Sequence, residues 1–462
     1  MKPIDEQFEL SIKNAKENNK EILFSYTEQI ALPYPHQLYS SVIRNSEDHF
    51  YWKDPQNETI IIGLGNVLPI ISELIDERFR NVEEKWENIL ENASIYNSAD
   101  QPGTGPLLFG GFTFDPYNRK EYEWGAFSNA TFYVPEIMLT ITEKNSFLTV
   151  NSIVKPESDV SQLMYLENQK KKILNIQEFS NNFISEVMKK EEINPEEWKE
   201  SVARVISLLK DGHLDKVVLA RKMRVEYQQD ILPENILNHL LDQQQTSFVF
   251  SFGFQNHCFA GASPERLVKK TGENILSTCL AGSMKRSNDE KHDETLGKML
   301  LEDKKNRHEH QLVVSMIADV FRKHCWEVNI PDEPTLMKTP DIQHLYTPVK
   351  GKVKENTSIL QLVESLHPTP ALGGTPKQDA MRVIRDVENM DRGLYAGPIG
   401  WMDYRGNGEF IVGIRSGLLK GNEAFIYAGC GIVADSNPED EYLETKIKFR
   451  PMLRALGGKE DE

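Results

Sequence analysis

Two glutamates that follow a glycine-rich turn are the clearest candidates for a functional site in this chain. The segment 428–448 reads AGCGIVADSNPEDEYLETKIK. Asn437 and Pro438 are typical of a helix N-cap and a first helical residue. Glu441 and Glu444 therefore lie three positions apart on one face of the predicted helix. Two carboxylates on one face repel each other unless a cation lies between them.

Two interpretations of this pair remain open from the pattern alone. A hard divalent ion such as Mg²⁺ prefers oxygen ligands, and Lys448 one turn further on could hold an anion that the metal bridges. Alternatively, the acidic residues simply complement the dipole at the start of the helix. The second interpretation explains Glu439 and Asp440 well, but it explains the spacing after AGCG less well.

Three further charged residues could take part in chemistry, although each also has a simpler interpretation. Lys216 begins a predicted strand, where it is either a solvated strand end or a base. Glu265, in the sequence GASPER, is either an exposed turn residue or a candidate acid. Glu309 lies on the polar face of a long predicted helix, where a lone glutamate is usually a solvated charge.

Arg415 lies inside the apolar run EFIVGIRSGLL, which predicts a strand. A buried arginine needs a partner, which could be a structural carboxylate or a substrate carboxylate held in a bidentate manner. The pattern does not choose between them. Tyr395 and His344 carry no signal in isolation.

Two apparent motifs do not support a cofactor or metal site. Gly63 and Gly65 lack the third glycine of a dinucleotide fingerprint, so we expect a structural turn. His308 and His310 are two positions apart on a predicted helix, so they point in different directions and cannot chelate one ion together.

The predicted secondary-structure elements that position these residues indicate an α+β fold. Strand-like runs alternate with turns up to about residue 154, interrupted by a helical pattern over 75–90. We expect residues 155–192 to form a helical connector and the best candidate domain boundary. A helix opens at Asn194 and ends near Gly212.

In the C-terminal half, a long amphipathic helix is predicted over 293–323, with strands on either side. Thr375-Pro376 should start a further helix that ends at Gly393. Three strands then form a meander, LYAGPIGWMDY, EFIVGIRSGLL and AFIYAGCGIV, joined by the turns RGNG and KGN. Because strands and helices are segregated, we predict an α+β fold rather than a doubly wound sheet.

Composition restricts the class of protein. The 462 residues carry a net charge of −17, which disfavours nucleic acid and anionic membranes as partners. No apolar run is long enough to span a bilayer, and the first residues lack the apolar region of a signal peptide. Four widely spaced cysteines predict a reducing cytoplasm without a disulfide framework.

Several sequence blocks, in order, resemble the chorismate-utilising enzymes, the family of isochorismate, anthranilate, aminodeoxychorismate and salicylate synthases. The resemblance is close from about residue 194 to residue 456 and looser before it. The blocks that carry it are LDKVVLAR, FAGASPERLV, LAGSMKR, RHEHQLVV, HLYTPVKG, HPTPALGGTPK, RGLYAGPIGW, IVGIRSGLL and AGCGIVADSNPEDEYLETKIK.

Within the family, two blocks discriminate between reactions. Some aminodeoxychorismate synthases carry a nucleophilic lysine where this chain has Ala281, in the sequence CLAGS. The block HPTPALGG, at 367–374, looks like the isochorismate synthase version. The resemblance therefore implies a Mg²⁺-dependent isochorismate synthase, with the long N-terminal region similar to the menaquinone-pathway form. The alternatives are a salicylate synthase, a siderophore-pathway isochorismate synthase and, less favoured, a non-catalytic chorismate-binding protein.

The resemblance also implies roles for individual residues. Lys216 matches the general base that activates water for attack at C2 of chorismate, and Glu265 matches the acid that protonates the departing C4 hydroxyl. The acidic residues that match the Mg²⁺ site are Glu309, Glu441 and Glu444. The residues that match the substrate pocket are Ser283, His344, Tyr395, Arg415, Gly429, Gly431 and Lys448. Some relatives have a further glutamate where this chain has Asn306, which leaves the metal ligands on that side open.

The implied fold is that of the family, with large, mostly antiparallel sheets and flanking helices. We predict an N-terminal α+β region, 1–192, that contributes to a shared sheet core, and a catalytic region, 193–458. Chorismate is the expected partner. We expect neither nucleic acid nor membrane nor an obligatory glutaminase subunit, and we expect a monomer or a weak dimer.

Overall fold

The computed structural model describes residues 4–31, 46–174, 184–212 and 214–458. Within these ranges the α-helices are α1 (Ile4–Asn18), α2 (Arg78–Glu91), α3 (Ser161–Leu174), α4 (Pro195–Lys210), α5 (Pro233–Gln243), α6 (Glu290–Glu302), α7 (Lys304–His324), α8 (Ile359–Leu366), α9 (Lys377–Val387) and α10 (Pro438–Ala455). A short 3₁₀ helix covers Tyr122–Trp124. No helix in the described ranges is both long enough and apolar enough to cross a bilayer.

Most of the described strands pair in an antiparallel manner, and they form two sheets. The strands are β1 (Ile22–Ile30), β2 (His49–Lys53), β3 (Thr59–Leu64), β4 (Leu68–Ser72), β5 (Ser94–Asn97), β6 (Leu107–Phe112), β7 (Ala130–Val134), β8 (Ile137–Thr142), β9 (Ser146–Val154), β10 (Val187–Glu192), β11 (Lys216–Tyr227), β12 (Phe248–Phe254), β13 (His257–Ser263), β14 (Arg266–Thr271), β15 (Asn274–Lys285), β16 (Cys325–Asn329), β17 (Thr335–Lys338), β18 (Ile342–Val353), β19 (Gly374–Thr375), β20 (Pro398–Asp403), β21 (Gly408–Val412), β22 (Ser416–Lys420) and β23 (Glu423–Ile432).

Both sheets combine strands from the two halves of the chain. The larger runs β10-β11-β23-β22-β13-β12-β2-β3-β8-β9-β1-β5, with β19 beside β11. The smaller runs β16-β18-β15-β14-β21-β20-β6-β7-β4, with β17 beside β18. The predicted α+β class is therefore confirmed, whereas the division at residue 192 stays a prediction.

An aromatic core joins the facing surfaces of the two sheets. The ring of Phe50 on β2 stacks on Phe109 of β6, with centroids 4.2 Å apart. Tyr133 on β7 stacks similarly on Phe252 of β12 at 5.7 Å. Stacked pairs of this kind add to the burial of large apolar surfaces, so the sheets are held at a fixed separation.

The predicted three-strand meander is wrong in one informative respect. The run EFIVGIRSGLL forms two strands in different sheets, β21 in the smaller and β22 in the larger. The chain crosses between the sheets at Gly413–Arg415, and Arg415 has a φ of 51°. The turns RGNG and KGN are confirmed, since they join β20 to β21 and β22 to β23. An apolar run indicates burial, but it does not reveal a change of sheet.

The single helix predicted over 293–323 is two helices. Asp303 adopts an extended conformation between α6 and α7, and its carboxylate accepts the backbone N–H of Asn306 at 2.7 Å. This side chain therefore caps α7 and ends the continuous helix.

Two other boundaries also differ from the prediction. The connector predicted to be helical over 155–192 contains α3, but its last six residues form β10. Part of it lies outside the described residues. The helix after Thr375-Pro376 ends at Val387, well before Gly393.

A buried ion pair between Glu388 and Arg392 ties three segments together. Both side chains are only 2% exposed, and Arg392 Nε donates to Glu388 Oε2 at 2.7 Å. The guanidinium also donates to the carbonyls of Val218, at 2.8 Å, and Leu372, at 3.1 Å. The Glu388 carboxylate accepts the backbone N–H of Ala220 at 2.5 Å. The pair thus holds β11 beside the segment 367–374.

We expect Arg392→Leu to lower the free energy of unfolding by about 3–5 kcal/mol, because it leaves the Glu388 carboxylate buried without compensation. The shift of the urea unfolding midpoint measures the change. Arg382→Leu is the matched control, since Arg382 is exposed and its ion-pair partner among the described residues is Asp379. The control should lose about 1 kcal/mol or less. Equal losses in the two variants would contradict the clamping role.

Candidate active site

All twelve residues singled out in the sequence line one cavity of 260 Å³. They reach it from β11, β23 and α10 at one sheet and from β15, β18 and α7 at the other, with further residues from three connecting segments. The cavity residues are Lys216, Glu265, Ser283, Glu309, His344, Tyr395, Arg415, Gly429, Gly431, Glu441, Glu444 and Lys448. The crossing of the chain between the sheets is therefore what brings residues distant in sequence together.

Lys216 is the first residue of β11 and is only 2% exposed. Its ammonium donates a hydrogen bond to Glu309 Oε1 on α7. Glu309 is therefore an ion-pair partner, so the simplest interpretation of this residue as a solvated charge is wrong. The pair spans 93 positions of sequence, which no local pattern could reveal.

Two glycines leave room for Lys216. A Cβ at Gly431 would lie 2.5 Å from Lys216 Cε, and a Cβ at Gly374 would lie 2.2 Å from the Lys216 carbonyl oxygen. Real Cβ atoms do not approach other atoms this closely, so any larger residue would displace the lysine or its strand. Gly374 is the last residue of HPTPALGG, which links that block to the position of Lys216.

Glu265 lies between β13 and β14 and is 5% exposed. Burial raises the pKa of its carboxyl to about 8, although Lys216, Arg415 and Lys448 oppose the shift. Removal from water destabilises the charged form, and the cations do not fully compensate for that loss. The carboxyl is therefore largely protonated at neutral pH and can donate a proton.

Among the described residues, neither Arg415 nor Lys305 of the cavity cations has a carboxylate within 4.0 Å, and Lys305 is exposed to water. Burial lowers the pKa of Arg415, while Tyr395, Glu444 and Asp341 act on it through space. The structural-carboxylate interpretation of Arg415 therefore finds no support among the described residues. A substrate carboxylate remains the partner that the geometry accommodates.

The Tyr395 ring forms the wall beside Arg415. It is 4% exposed and stacks on Tyr427 with a centroid distance of 5.2 Å. Burial raises the pKa of its hydroxyl, so the group stays neutral and is available as a hydrogen-bond donor.

The predicted cap of α10 is confirmed, because the side chain of Asn437 accepts the backbone N–H groups of Glu439 and Asp440. Further along the helix, the two glutamates of the opening segment differ in environment. Lys448 Nζ lies 2.6 Å from Glu444 Oε1 and lowers the pKa of that carboxyl. Burial, together with the charge of Glu444, raises the pKa of Glu441.

Ser283 and His344 form a hydrogen-bonded pair on adjacent strands, with Ser283 Oγ 2.8 Å from His344 Nδ1. Burial lowers the pKa of His344 to about 3, so the ring is neutral. Its Nε2 is enclosed and has no hydrogen-bond partner among the described residues. The ring therefore presents a polar atom that the protein itself leaves unsatisfied.

Sequence reasoning assigned no role to Asn306 and did not single out Arg392, and both line the cavity. The Asn306 carboxamide accepts the backbone N–H of Ser283 at 3.2 Å and donates to Asp303 at 2.8 Å. It fixes the strand that carries Ser283. The available signal for Arg392, the first residue of RGLYAGPIGW, was its four-residue spacing from Glu388.

The three glutamates Glu309, Glu441 and Glu444 offer carboxylate oxygens, which are the donors that Mg²⁺ prefers. All three line the cavity. Two of them are held by ammonium groups, Lys216 on Glu309 and Lys448 on Glu444. Within the described ranges no three His, Cys, Asp or Glu side chains stand close enough to form a metal-binding group. The oxygen donors therefore fit Mg²⁺. In this structure, however, Glu309 and Glu444 form ion pairs with lysines.

Comparison with known proteins places this geometry in a family. The family described as chorismate binding enzyme matches residues 10–457. Isochorismate synthase MenF of Bacillus subtilis is 42% identical over 97% of this chain and 96% of its own length. The salicylate biosynthesis isochorismate synthase of Pseudomonas aeruginosa is 33% identical over 98% of this chain and 94% of its own length.

Solved structures show the same fold. MenF, the menaquinone-specific isochorismate synthase of Escherichia coli, superposes with a TM-score of 0.78 at 21% identity, covering 97% of this chain and 99% of that one. Anthranilate synthase component I of Streptococcus pneumoniae gives a TM-score of 0.72 at 23% identity, covering 86% of this chain and 92% of that one. The chain crosses between two sheets and forms a cavity at that crossing, and the sequence similarity extends over nearly its whole length. This chain therefore belongs to the chorismate binding enzyme family.

Proposed function

We propose that this protein is an isochorismate synthase, which adds water at C2 of chorismate with loss of the C4 hydroxyl. The observation that carries the proposal is the buried, protonated Glu265 in the same cavity as Lys216. The full-length relatives support it, since both are described as isochorismate synthases. Ala281 also argues against amine transfer through a nucleophilic lysine, which some aminodeoxychorismate synthases carry at that position.

Two proton transfers have assigned residues in this proposal. Hydroxide is a poor leaving group, so the C4 hydroxyl must receive a proton as it departs, and Glu265 holds that proton. Water is a poor nucleophile, so Lys216 is assigned as its base. The ammonium must first pass a proton to Glu309 Oε1, the acceptor of its hydrogen bond, and the neutral amine then accepts one from water. A positioned proton transfer of this kind typically contributes about 10²–10⁴-fold to the rate.

Substrate binding is assigned to the cations and to the polar wall. Chorismate carries two carboxylates, and Arg415 with Tyr395 would hold one of them. Lys448, which also donates to the carbonyl of Gly429 at 2.9 Å, lies where it could contact another anionic oxygen. Ser283 and His344 complete this wall. These contacts would offset the repulsion expected between an anionic substrate and an acidic protein.

Glu309, Glu441 and Glu444 are the proposed ligands of Mg²⁺, directly or through water. When bound, the ion would supply positive charge beside the ring carboxylate of the substrate. Asn306 takes no part in this ligand set, because its side chain is engaged with Ser283 and Asp303.

We also propose a pathway and a cellular compartment for this reaction. The B. subtilis relative named MenF is the more similar of the two full-length relatives, which favours menaquinone supply over siderophore supply. All four cysteines are free and buried, which supports a reducing cytoplasm. The nucleophile is water rather than ammonia, so we propose that the chain acts without a glutaminase subunit. We propose further that it is a monomer or a weak dimer.

Product analysis tests the function directly. Purified protein given chorismate and Mg²⁺ should produce isochorismate, and EDTA should abolish the reaction. Release of pyruvate with salicylate fluorescence would identify a salicylate synthase instead. Absence of isochorismate, with no effect of EDTA, would show that the proposal is wrong.

Glu265→Gln should lower kcat by about 10²–10⁴-fold, because the amide has no proton to donate. The Mg²⁺ concentration for half-maximal activity should not change. In the unmodified protein, kcat/KM should fall as pH rises through about 8, since deprotonation of the free enzyme removes the acid. This fall in kcat/KM as pH rises through about 8 should be absent from the residual activity of Glu265→Gln.

Glu273→Gln is the control for this experiment, since Glu273 is exposed in the turn between β14 and β15. It should retain the activity and the pH profile of the unmodified protein. The acid role fails if Glu265→Gln turns over normally, or if both proteins show the same decline above pH 8.

Glu441→Gln and Glu444→Gln should each raise the Mg²⁺ concentration for half-maximal activity about tenfold or more, because each removes a charged oxygen donor. Competition with Mn²⁺, followed by its electron paramagnetic resonance signal, reports binding independently of turnover. Glu439→Gln is the matched control on the same helix, since Glu439 is exposed and pairs with Lys199. An equal response of all three variants would argue against a metal role.

A further inference from the structure

A second cavity of 480 Å³ lies where the N-terminal ends of α2 and α9 meet. It shares no lining residue with the candidate active site. One part of its wall is apolar, with Phe79, Phe114 and Met381 all less than 10% exposed. Another part of its wall carries positive charge, from Arg78 and Lys377, which distinguishes this cavity from an ordinary surface depression.

Arg78, the first residue of α2, brings a buried charge to this cavity. Its side chain is 4% exposed, and Nη1 donates to Thr113 Oγ1 at 2.8 Å. Among the described residues no carboxylate lies within ion-pair distance, and Nε and Nη2 have no hydrogen-bond partner. Burial lowers the pKa of the guanidinium to about 10, so it stays charged at neutral pH. The groups in direct contact with this charge are neutral: the Thr113 hydroxyl, the Asn129 carbonyl and the rings of Phe79 and Phe112. An anion in the cavity would supply the opposite charge that these groups lack.

A second cation and two helix ends add to this positive character. Lys377, the first residue of α9, is exposed, and its ammonium donates to the carbonyl of His367 rather than to a carboxylate. Neither α2 nor α9 has a side-chain cap, so backbone N–H groups of their first turns remain available. The helix dipoles add partial positive charge at the same place.

Carboxylates on the wall do not cancel this charge. They are Asp76, Glu77, Asp115 and Glu364. Asp115 accepts a hydrogen bond from Arg385 at 2.5 Å, Asp76 accepts one from the Tyr117 hydroxyl at 2.6 Å, and Glu77 lies 4.0 Å from Arg80. Glu364 acts on Arg78 and Lys377 through space without an ion pair. Asp76 and Glu364 therefore have no cation within ion-pair distance among the described residues, and the two cations and two helix ends face these two carboxylates.

We propose that this cavity is a second binding site, for a small organic carboxylate. Its carboxylate is held by Arg78 and the adjacent helix ends. Its apolar body packs against Phe79, Phe114 and Met381. The proposal does not depend on the reaction assigned to the first cavity, because the two sites share no residue.

Benzoate is a suitable probe, and Met381 provides a local readout. In protein labelled with ¹³C at the methionine methyl groups, Met381→Leu identifies the resonance of Met381. Benzoate should shift this resonance in a saturable manner, whatever it does in the candidate active site. Arg78→Gln should weaken the binding about tenfold or more, as expected for loss of a charge-assisted hydrogen bond.

Matched variants and probes make the experiment decisive. Lys85→Gln, further along α2 at an exposed residue that does not line the cavity, should leave the affinity for benzoate unchanged. Lys377→Gln should weaken binding several-fold, and its exposed position keeps the test valid if Arg78→Gln fails to fold. Benzyl alcohol should not bind, and inorganic phosphate should bind more weakly than benzoate.

Three results would overturn the proposal. The first is equal affinity for benzoate in the unmodified protein, Arg78→Gln and Lys377→Gln, which would mean that no anion site exists. The second is binding of benzyl alcohol as tight as that of benzoate, which would leave only an apolar depression. The third is binding of phosphate as tight as that of benzoate, which would show that an apolar body of the ligand contributes nothing to the affinity.

Discussion

Burial of charge beside an aromatic core is the constraint on which this structure depends. The cavity holds cations and carboxylates that water does not fully solvate, and each must be stabilised in another way. Lys216 pairs with Glu309, Lys448 pairs with Glu444, and Glu265 takes up a proton. Lys305 has no ion pair either but is exposed to water, so Arg415 is left as the desolvated cation without a nearby carboxylate among the described residues. This is the physical reason to assign it to an anionic substrate.

The fold meets this constraint by fixing backbone rather than by adding charges. The Glu388–Arg392 pair holds β11 against the segment 367–374, so Lys216 enters the cavity from a rigid strand. Arg415 sits in the left-handed region where the chain passes between the sheets. A non-glycine residue in this region costs of the order of 1 kcal/mol or more, and such positions persist where the surroundings determine them. Here the carbonyl of Arg415 accepts the Ala262 N–H at 3.0 Å.

Local sequence patterns correctly predicted the features that local interactions determine, such as helix caps and strand starts. The cap at Asn437 and the start of β11 at Lys216 follow from turn and capping chemistry, and both are confirmed. The sheet crossing near Arg415 was not predictable, because an apolar run looks the same whether it stays in one sheet or changes sheets. The Lys216–Glu309 pair joins residues 93 positions apart, and no helical or strand period contains that information. The twelve cavity residues were found through similarity to a family, which records tertiary proximity that the pattern of one sequence does not.

The criterion that identifies Arg415 also identifies Arg78. Both are guanidinium groups removed from water without a carboxylate in ion-pair distance among the described residues, and both line a cavity. The segment 367–374 reaches both places, with His367 and Pro368 at the second cavity and Leu372 at the first. Its far end, Gly374, packs on the Lys216 carbonyl oxygen so closely that a Cβ would lie 2.2 Å from it. A ligand at Arg78 would therefore contact the beginning of a segment whose end fixes the backbone of the proposed base.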